Sequence, residues 1–247
     1  MPPLRRLPAV LARLAAFARE RGVATVLASG LRWGWQWLRG HPRTGGSSGS
    51  FQWEGAALPY FVHPYHYTWL NERAVEVALA REILARHAGA DVLEVGNVLS
   101  HYVSDPHSIV DKYEQAPGVL NLDVADLDLQ REFDLVLAIS TLEHVGLDED
   151  VVDPAKPARA IRRLKAHLKP GGMLWVTHPV GYNCDLDDQI RSGEIEFTRL
   201  RALKREPTHN TWREVPLDQA WGTPYDRLLY TAHALVVGEY LAPQNQC

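Results

Sequence analysis

Residues 92–102 read VLEVGNVLSHY, and the fold turns on them. Val92-Leu93-Glu94-Val95 is an apolar run entered from Gly89-Ala90-Asp91, too short for a helix, and it predicts a buried strand. Gly96 and Asn97 come next. At the carboxyl end of the first strand of an α/β sheet, this is where a nucleotide-like ligand sits. Gly96 lets the backbone pass close to such a ligand with no Cβ in the way. Glu94 can fix a loop N–H or a cationic group. An isolated E-x-G also describes any buried strand that ends in a turn, so its weight comes from the order of the strands downstream.

Four such blocks succeed one another. Residues 108–114 (SIVDKYE) predict a second strand carrying Asp111. Residues 119–126 (VLNLDVAD) predict a third carrying Asp123, and 133–145 (FDLVLAISTLEHV) a fourth. Residues 168–181 (LKPGGMLWVTHPVG) read as a helix stop, a turn and a fifth strand. Residues 195–205 and 233–241 predict two more strands, with an irregular stretch at 207–230 between them. Helices are predicted over 71–87, with Asn71 as N-cap and Val75, Leu79 and Ile83 inward, over 158–168 and over 185–191.

With these blocks in place, residues 71–241 resemble a class I S-adenosylmethionine-dependent methyltransferase, most specifically through FDLVLAISTLEHVG and LKPGGMLWVTHP. More narrowly, VLEVGNVLSHY, VDKYE and STLEHVG are similar to little-characterised bacterial methyltransferases associated with cell-surface glycan synthesis. The resemblance implies an α/β fold: a doubly wound, mostly parallel, seven-stranded sheet of Rossmann-like type. It implies S-adenosyl-L-methionine as cofactor, and methyl transfer to an oxygen or nitrogen of a small-molecule or glycan-like acceptor. By the same resemblance Glu94, Gly96 and Asn97 form the cofactor loop. Asp111 accepts from the ribose hydroxyls, with Glu114 as the alternative, and Asp123 with Val124 meets the adenine. Ser140, Thr141 and Glu143 close the methionine side. His144 is either the general base for the acceptor or a residue packed on the cofactor that holds a loop by its ring N–H. His178 is a rival base, and Tyr182 and Asn183 could hold a sugar or the cofactor carboxylate.

The chain departs from the family's E/D-x-G-x-G-x-G loop: Val98 and Ser100 replace the second and third glycines, and Pro106 limits the next helix to a turn or two. Two alternatives therefore stay open. One is a non-catalytic scaffold of the same fold. The other is a nucleotide-dependent oxidoreductase, against which the missing G-x-G-x-x-G and the LKPGG block both speak.

At 247 residues the chain has room for one large α/β domain and an appendage, and a net charge of −4 argues against a general nucleic-acid binder. Cys184 and Cys247 make neither a disulfide framework nor a zinc spacing, and HPYH (His63, His66) lacks further ligands, so no metal is expected. The charge is uneven. Residues 1–43 hold eight arginines against Glu20 alone, a net +7, which leaves −11 for the remainder. This stretch predicts a basic amphipathic helical extension, with Leu4, Leu7, Leu11 and Leu14 and then Val26, Leu27, Leu31, Trp35 and Leu38 at helical spacing. It reads as a lid packed on the domain or a partner, as a helix on an anionic membrane surface, or as a targeting segment. Residues 44–50 read as a linker and 51–247 as the catalytic domain, with an aromatic-rich strand pair and loop at 51–69 over the site. No run is long and apolar enough for a membrane span. The expected location is cytoplasmic, with peripheral contact at the inner face of the membrane under the membrane reading.

Overall fold

The computed structural model describes residues 18, 19, 22–40, 49–103, 107–206 and 210–244. The helical stripe expected from Leu4 to Leu14 lies outside them, as do most of the linker, Pro106 and Cys247. Helix α1 (Val23–Gly40) leads into a hairpin of β1 (Ser50–Trp53) and β2 (Ala56–Pro59), so Ser50 belongs to a strand rather than to the linker. Helix α2 (Arg73–Arg86) comes after a 3-10 turn over Tyr65–Leu70. Next come β3 (Val92–Val95), β4 (Ser108–Val110), β5 (Val119–Leu120) and β6 (Phe133–Ile139). The chain finishes with α3 (Lys156–Ala166), β7 (Leu168–Pro179), α4 (Cys184–Ser192), β8 (Arg199–Glu206), β9 (Thr211–Val215), the short α5 (Leu217–Ala220) and β10 (Ala234–Leu241).

The main sheet has the order β5-β4-β3-β6-β7-β10-β8-β9. Strands β3 to β7 pair in parallel, and β10 inserts antiparallel between β7 and β8. This is an α/β, Rossmann-like architecture. Where seven strands were expected, the main sheet has eight among the described residues. Thr211–Val215, inside the stretch expected to be irregular, pairs antiparallel with β8, and Trp212 and Val215 are buried there. The turn expected at 169–172 is instead a bulge within β7: Phe133 pairs with Leu168, and the register resumes at Leu135 with Met173.

Alternation along the strands divides the core into two layers. Leu135, Leu137, Ile139 and Trp175 pack with Val75, Leu79 and Ile83 of α2, the stripe expected from sequence. Val136, Ala138, Leu174 and Val176 pack on the other face against Ile161 and Leu164 of α3 and Leu186 and Ile190 of α4. A strand covered on both faces must be apolar throughout, which is why FDLVLAI shows no polar alternation. Each fully buried aliphatic or aromatic side chain contributes roughly 1.5–3 kcal/mol. The winding is thinner at the β4–β5 edge, where 3-10 turns at Leu99–His101 and Val124–Asp126 stand in for helices.

Candidate active site

β3 connects to β4 on one side while β6 lies on its other side, so the chain reverses direction across the sheet at the β3/β6 boundary. Ligands of open α/β sheets bind at such a point, beyond the carboxyl ends of the strands. A cavity of about 290 Å³ opens there. Its walls include Gly96 and Asn97 after β3, Asp111 and Glu114 after β4, and Asp123 and Val124 after β5. Ser140, Thr141 and His144 after β6 complete them. Nine of the fourteen residues named for the site thus line one cavity, and Tyr182 and Asn183 are not among them. Nor are Glu94, Glu143 and His178.

Glu94 lies beneath the cavity, fully buried, and acts on the loop. Its Oε1 accepts from the N–H groups of Val98 (2.9 Å) and Leu99 (2.8 Å), and its Oε2 meets His107 Nε2 at 2.6 Å. A carboxylate thus holds the loop that contains Val98 and Leu99. Gly96 is the glycine that remains necessary. Its φ is +82°, and a Cβ there would stand 2.2 Å from Thr141 Oγ1. Gly96→Ala is therefore expected to cost about 1–3 kcal/mol of stability and to weaken ligand binding at least about tenfold. Urea unfolding and calorimetry measure the two effects. Thr141→Ala in the same chain should recover part of both, because the nearest clashing atoms are gone.

The acidic residues beside the loop differ in what they have left to offer. Asp111 Oδ1 accepts from Tyr113 N (2.8 Å) and Glu114 N (2.7 Å), and Oδ2 from Asn97 N (3.2 Å), so this carboxylate builds the β4 turn. Among the described residues Glu114 accepts only from side chains, Asn97 Nδ2 at 2.8 Å and His101 Nε2 at 3.1 Å, which leaves lone pairs toward the cavity. Asp123 caps the turn after β5 through Ala125 N (3.0 Å). Its Oδ2 also meets Lys112 Nζ at 2.8 Å and Lys156 Nζ at 2.7 Å, and Glu149 bridges the same two lysines. Burial alone would raise the Asp123 carboxyl, but the hydrogen bonds from Lys112 and Lys156 outweigh it and hold it down at about 2.

At the end of β6 the chain takes a strained step: Ser140 has φ +41°. It is held by Glu76 of α2, which accepts from Ser140 Oγ and, at 2.7 Å, from Thr177 Oγ1 of β7. Arg73, one turn earlier on α2, donates to Glu76 Oε2 at 2.7 Å and to the Ile139 carbonyl at 3.3 Å, and it reaches the cavity wall. Sequence reasoning did not single out Arg73 or Glu76. The available signal was a charged i, i+3 pair beside an apolar stripe, in the first turn of the helix that precedes β3.

Glu143 is buried behind Ser140 rather than in the wall, and its Oε2 has no partner among the described residues. Burial, helped by repulsion from Glu76, raises its carboxyl well above the ordinary range, which favours the protonated form in the fold. In the unfolded chain the same group ionises from about 4.5 upward. A raised acid contributes stability below that range and loses it as pH rises toward the folded value. Glu143→Gln cannot ionise, so it should gain stability over the native chain between about pH 5 and about pH 8. Urea midpoints at both values test this. A constant gap would mean that Glu143 is charged in the fold.

His144 lines the cavity and is partly exposed. Its Nδ1 meets Asp148 Oδ2 at 2.5 Å, and its Nε2 stands 3.6 Å from Glu143 Oε1, beyond hydrogen-bond length. Asp148 also accepts from the Tyr182 hydroxyl at 2.5 Å, and Tyr182 meets Tyr230 OH at 2.7 Å. Burial would raise the Asp148 carboxyl, but the bonds from His144 and Tyr182 bring it below its usual value. An ionised Asp148 keeps the proton on Nδ1 and leaves Nε2 as the acceptor. Asp148 was not foreseen, although the i, i+4 spacing from His144 was visible.

Two expectations are corrected here. His178 does not face the cavity. The alternation of β7 turns it to the α4 side, where it is 2% exposed and its Nε2 meets Asp187 Oδ1 at 2.5 Å, while Asp187 Oδ2 accepts Gly181 N. Asn183 is buried as the N-cap of α4, accepting Leu186 N and donating to the Glu143 carbonyl, so it cannot take a ligand without opening that helix.

The chain matches a family described as "Caenorhabditis protein of unknown function, DUF268" over residues 104–194. Among curated proteins it is 31% identical over 115 residues to the DNA-binding response regulator MtrA of Mycobacterium tuberculosis. That match covers 40% of this chain and 47% of the relative, so the chain spans about half the length of the curated relatives it matches. Among solved structures it is similar to the N-methyltransferase NodS of Bradyrhizobium japonicum bound to S-adenosyl-L-homocysteine. The TM-score is 0.46 at 14% identity, over 70% of this chain and 88% of that one. It is also similar to the sugar N-methyltransferase KedS8 of Streptoalloteichus, with a TM-score of 0.34 at 22% identity over 68% and 67%.

Proposed function

We propose that the protein transfers a methyl group from S-adenosyl-L-methionine to an oxygen or nitrogen of a small-molecule or glycan-like acceptor. The observation that carries this reading is the cavity at the β3/β6 boundary, where Gly96, Glu114, Arg73 and His144 meet. The residues present fit the cofactor. Leu122, Val124 and Val145 offer an apolar slot for adenine, and Glu114 has acceptor capacity for the ribose hydroxyls. Arg73 supplies a cation for the methionine carboxylate. The Tyr102 hydroxyl, buried in the wall without a partner among the described residues, is a donor awaiting a ligand atom. Asp111, first expected at the ribose, serves by shaping the turn that presents Glu114.

The cofactor supplies a methyl group on a sulfonium with a neutral leaving group, so the chain's task is alignment, exclusion of water and removal of a proton. Tyr65 and His66 wall the acceptor end, and Tyr65 is stacked on the His66 and His101 rings at 4.1 and 4.7 Å. His144 Nε2 takes the acceptor's proton, while Asp148 carries the resulting imidazolium.

Calorimetry with S-adenosyl-L-methionine and its demethylated product is the direct test, followed by an acceptor screen with a labelled methyl donor. Binding in the micromolar range, about −8 kcal/mol, is expected. Glu114→Ala should weaken it by roughly 1–3 kcal/mol. No binding of either compound would assign the fold to a non-catalytic scaffold, and a nicotinamide dinucleotide found bound instead would assign it to an oxidoreductase.

A further inference from the structure

Helix α1 lies on the domain with its apolar stripe turned outward. It packs against the Tyr65–Leu70 turn, and among its described side chains the buried one is a serine, Ser29, 5% exposed. Val23, Leu27, Leu31, Trp35 and Leu38 point to solvent at three- and four-residue spacing. Leu27 is 62% exposed, Leu31 76% and Leu38 67%. A helix that served only as a lid would place this stripe inward. The segment around it holds the +7 charge of residues 1–43, with Arg19, Arg21, Arg32, Arg39 and Arg43 within or flanking the helix. Trp33, Trp35 and Trp37 lie among them.

We propose that the outward face of α1 docks on an anionic lipid bilayer. An apolar stripe enters the acyl boundary, arginines meet lipid phosphates, and tryptophans settle at headgroup depth. The charge selects this occupant. A second copy would bring another +7 segment against the first, and a neutral surface would leave the arginines without counter-charges. No helix among the described residues is long and apolar enough to cross a membrane, so α1 lies in the interface plane. The turn that α1 packs against carries Tyr65 and His66 of the cavity wall, so docking sets the cavity mouth close to the lipid surface.

The test uses the full chain and vesicles of phosphatidylcholine, alone or mixed with phosphatidylglycerol. Co-sedimentation should be at least about tenfold stronger on the mixed vesicles and released by ~0.5 M sodium chloride. Tryptophan emission should shift to the blue on binding. Leu27→Ser with Leu31→Ser, both at exposed positions, should lower vesicle affinity at least about tenfold and leave circular dichroism and calorimetric cofactor binding unchanged. Arg19→Glu with Arg39→Glu gives a second, charge-based variant with the same expected loss on mixed vesicles. Equal binding to both vesicle types, or no binding to either, overturns the proposal, as does undiminished binding by the leucine variant. A leucine variant that turns a dimer into a monomer without any vesicle binding assigns the face to a second copy. The cofactor reading is measured without vesicles and the lipid reading without cofactor, so each can fail alone.

Discussion

Glu76→Leu is expected to destabilise the protein by about 3–5 kcal/mol, a large share of the ~5–15 kcal/mol that holds a domain folded. Glu76 is fully buried and accepts from Ser140 Oγ, Thr177 Oγ1 and the Arg73 guanidinium. Leucine fills the space but leaves two hydroxyls and a cation without it. The loss should also reach the site, because Ser140 is held at positive φ by this carboxylate and its neighbour Thr141 packs against Gly96. Glu76→Gln keeps an acceptor for the two hydroxyls but gives up both the charge and the acceptor opposite Arg73, so it should cost less than Glu76→Leu. Urea unfolding of both variants, read beside cofactor calorimetry, decides the matter. A change within about 0.5 kcal/mol for the leucine variant would show that the two strand ends hold themselves.

The largest effect on turnover is expected at His144. His144→Ala should lower kcat by ~10²–10⁴, the range of a placed general base, with cofactor affinity within about threefold. The partner gives a finer test. Asp148→Asn retains size and much of the hydrogen bonding but removes the charge that fixes the proton on Nδ1. It should lower kcat by at least about tenfold with little change in melting temperature. It should also alter the pH–rate profile, which loss of packing alone would not do. Tyr182→Phe, which removes the other donor to Asp148, should have a smaller effect of the same kind. If His144→Ala abolishes cofactor binding together with stability, the ring is a packing element. If both variants turn over normally, alignment is sufficient for this acceptor.

Much of the fold could be read from the chain because buried parallel strands leave a local mark. VLEV and FDLVLAI are short apolar runs closed by glycine or serine, and the stripe of α2 has a helical period. β9 escaped because TWREV is brief and lies between Pro207 and Pro216, which read as breakers. Its strand character comes from pairing with β8 and from Trp212 joining the core. The loop residues after β3 to β6 gather at one cavity because strand order, on which their placement depends, was legible. The support beneath them was not. Glu76 meets Ser140 and Thr177 across 64 and 101 positions, and no local pattern announces such a contact. His178 misled for a related reason. The end of a strand can be located from sequence, but which of its two faces meets the cavity depends on the pleat and on α4.

The Lys112, Lys156, Asp123 and Glu149 quartet bears on how the protein would choose among the adenine compounds of a cell. Two positive and two negative groups cancel within a few ångströms, and each lysine is already engaged with both carboxylates. Beside them stand Asp111 and Glu114, both acidic. A triphosphate or dinucleotide arriving here would find no surplus of positive charge to offset its phosphates, and it would have to part a lysine from its carboxylates to gain one. An adenosine that carries a sulfonium and an amino acid meets no such penalty. Selectivity against the far more abundant nucleotides would then come from a rim whose positive charges are already satisfied and outnumbered, set before any atom of the reaction is reached.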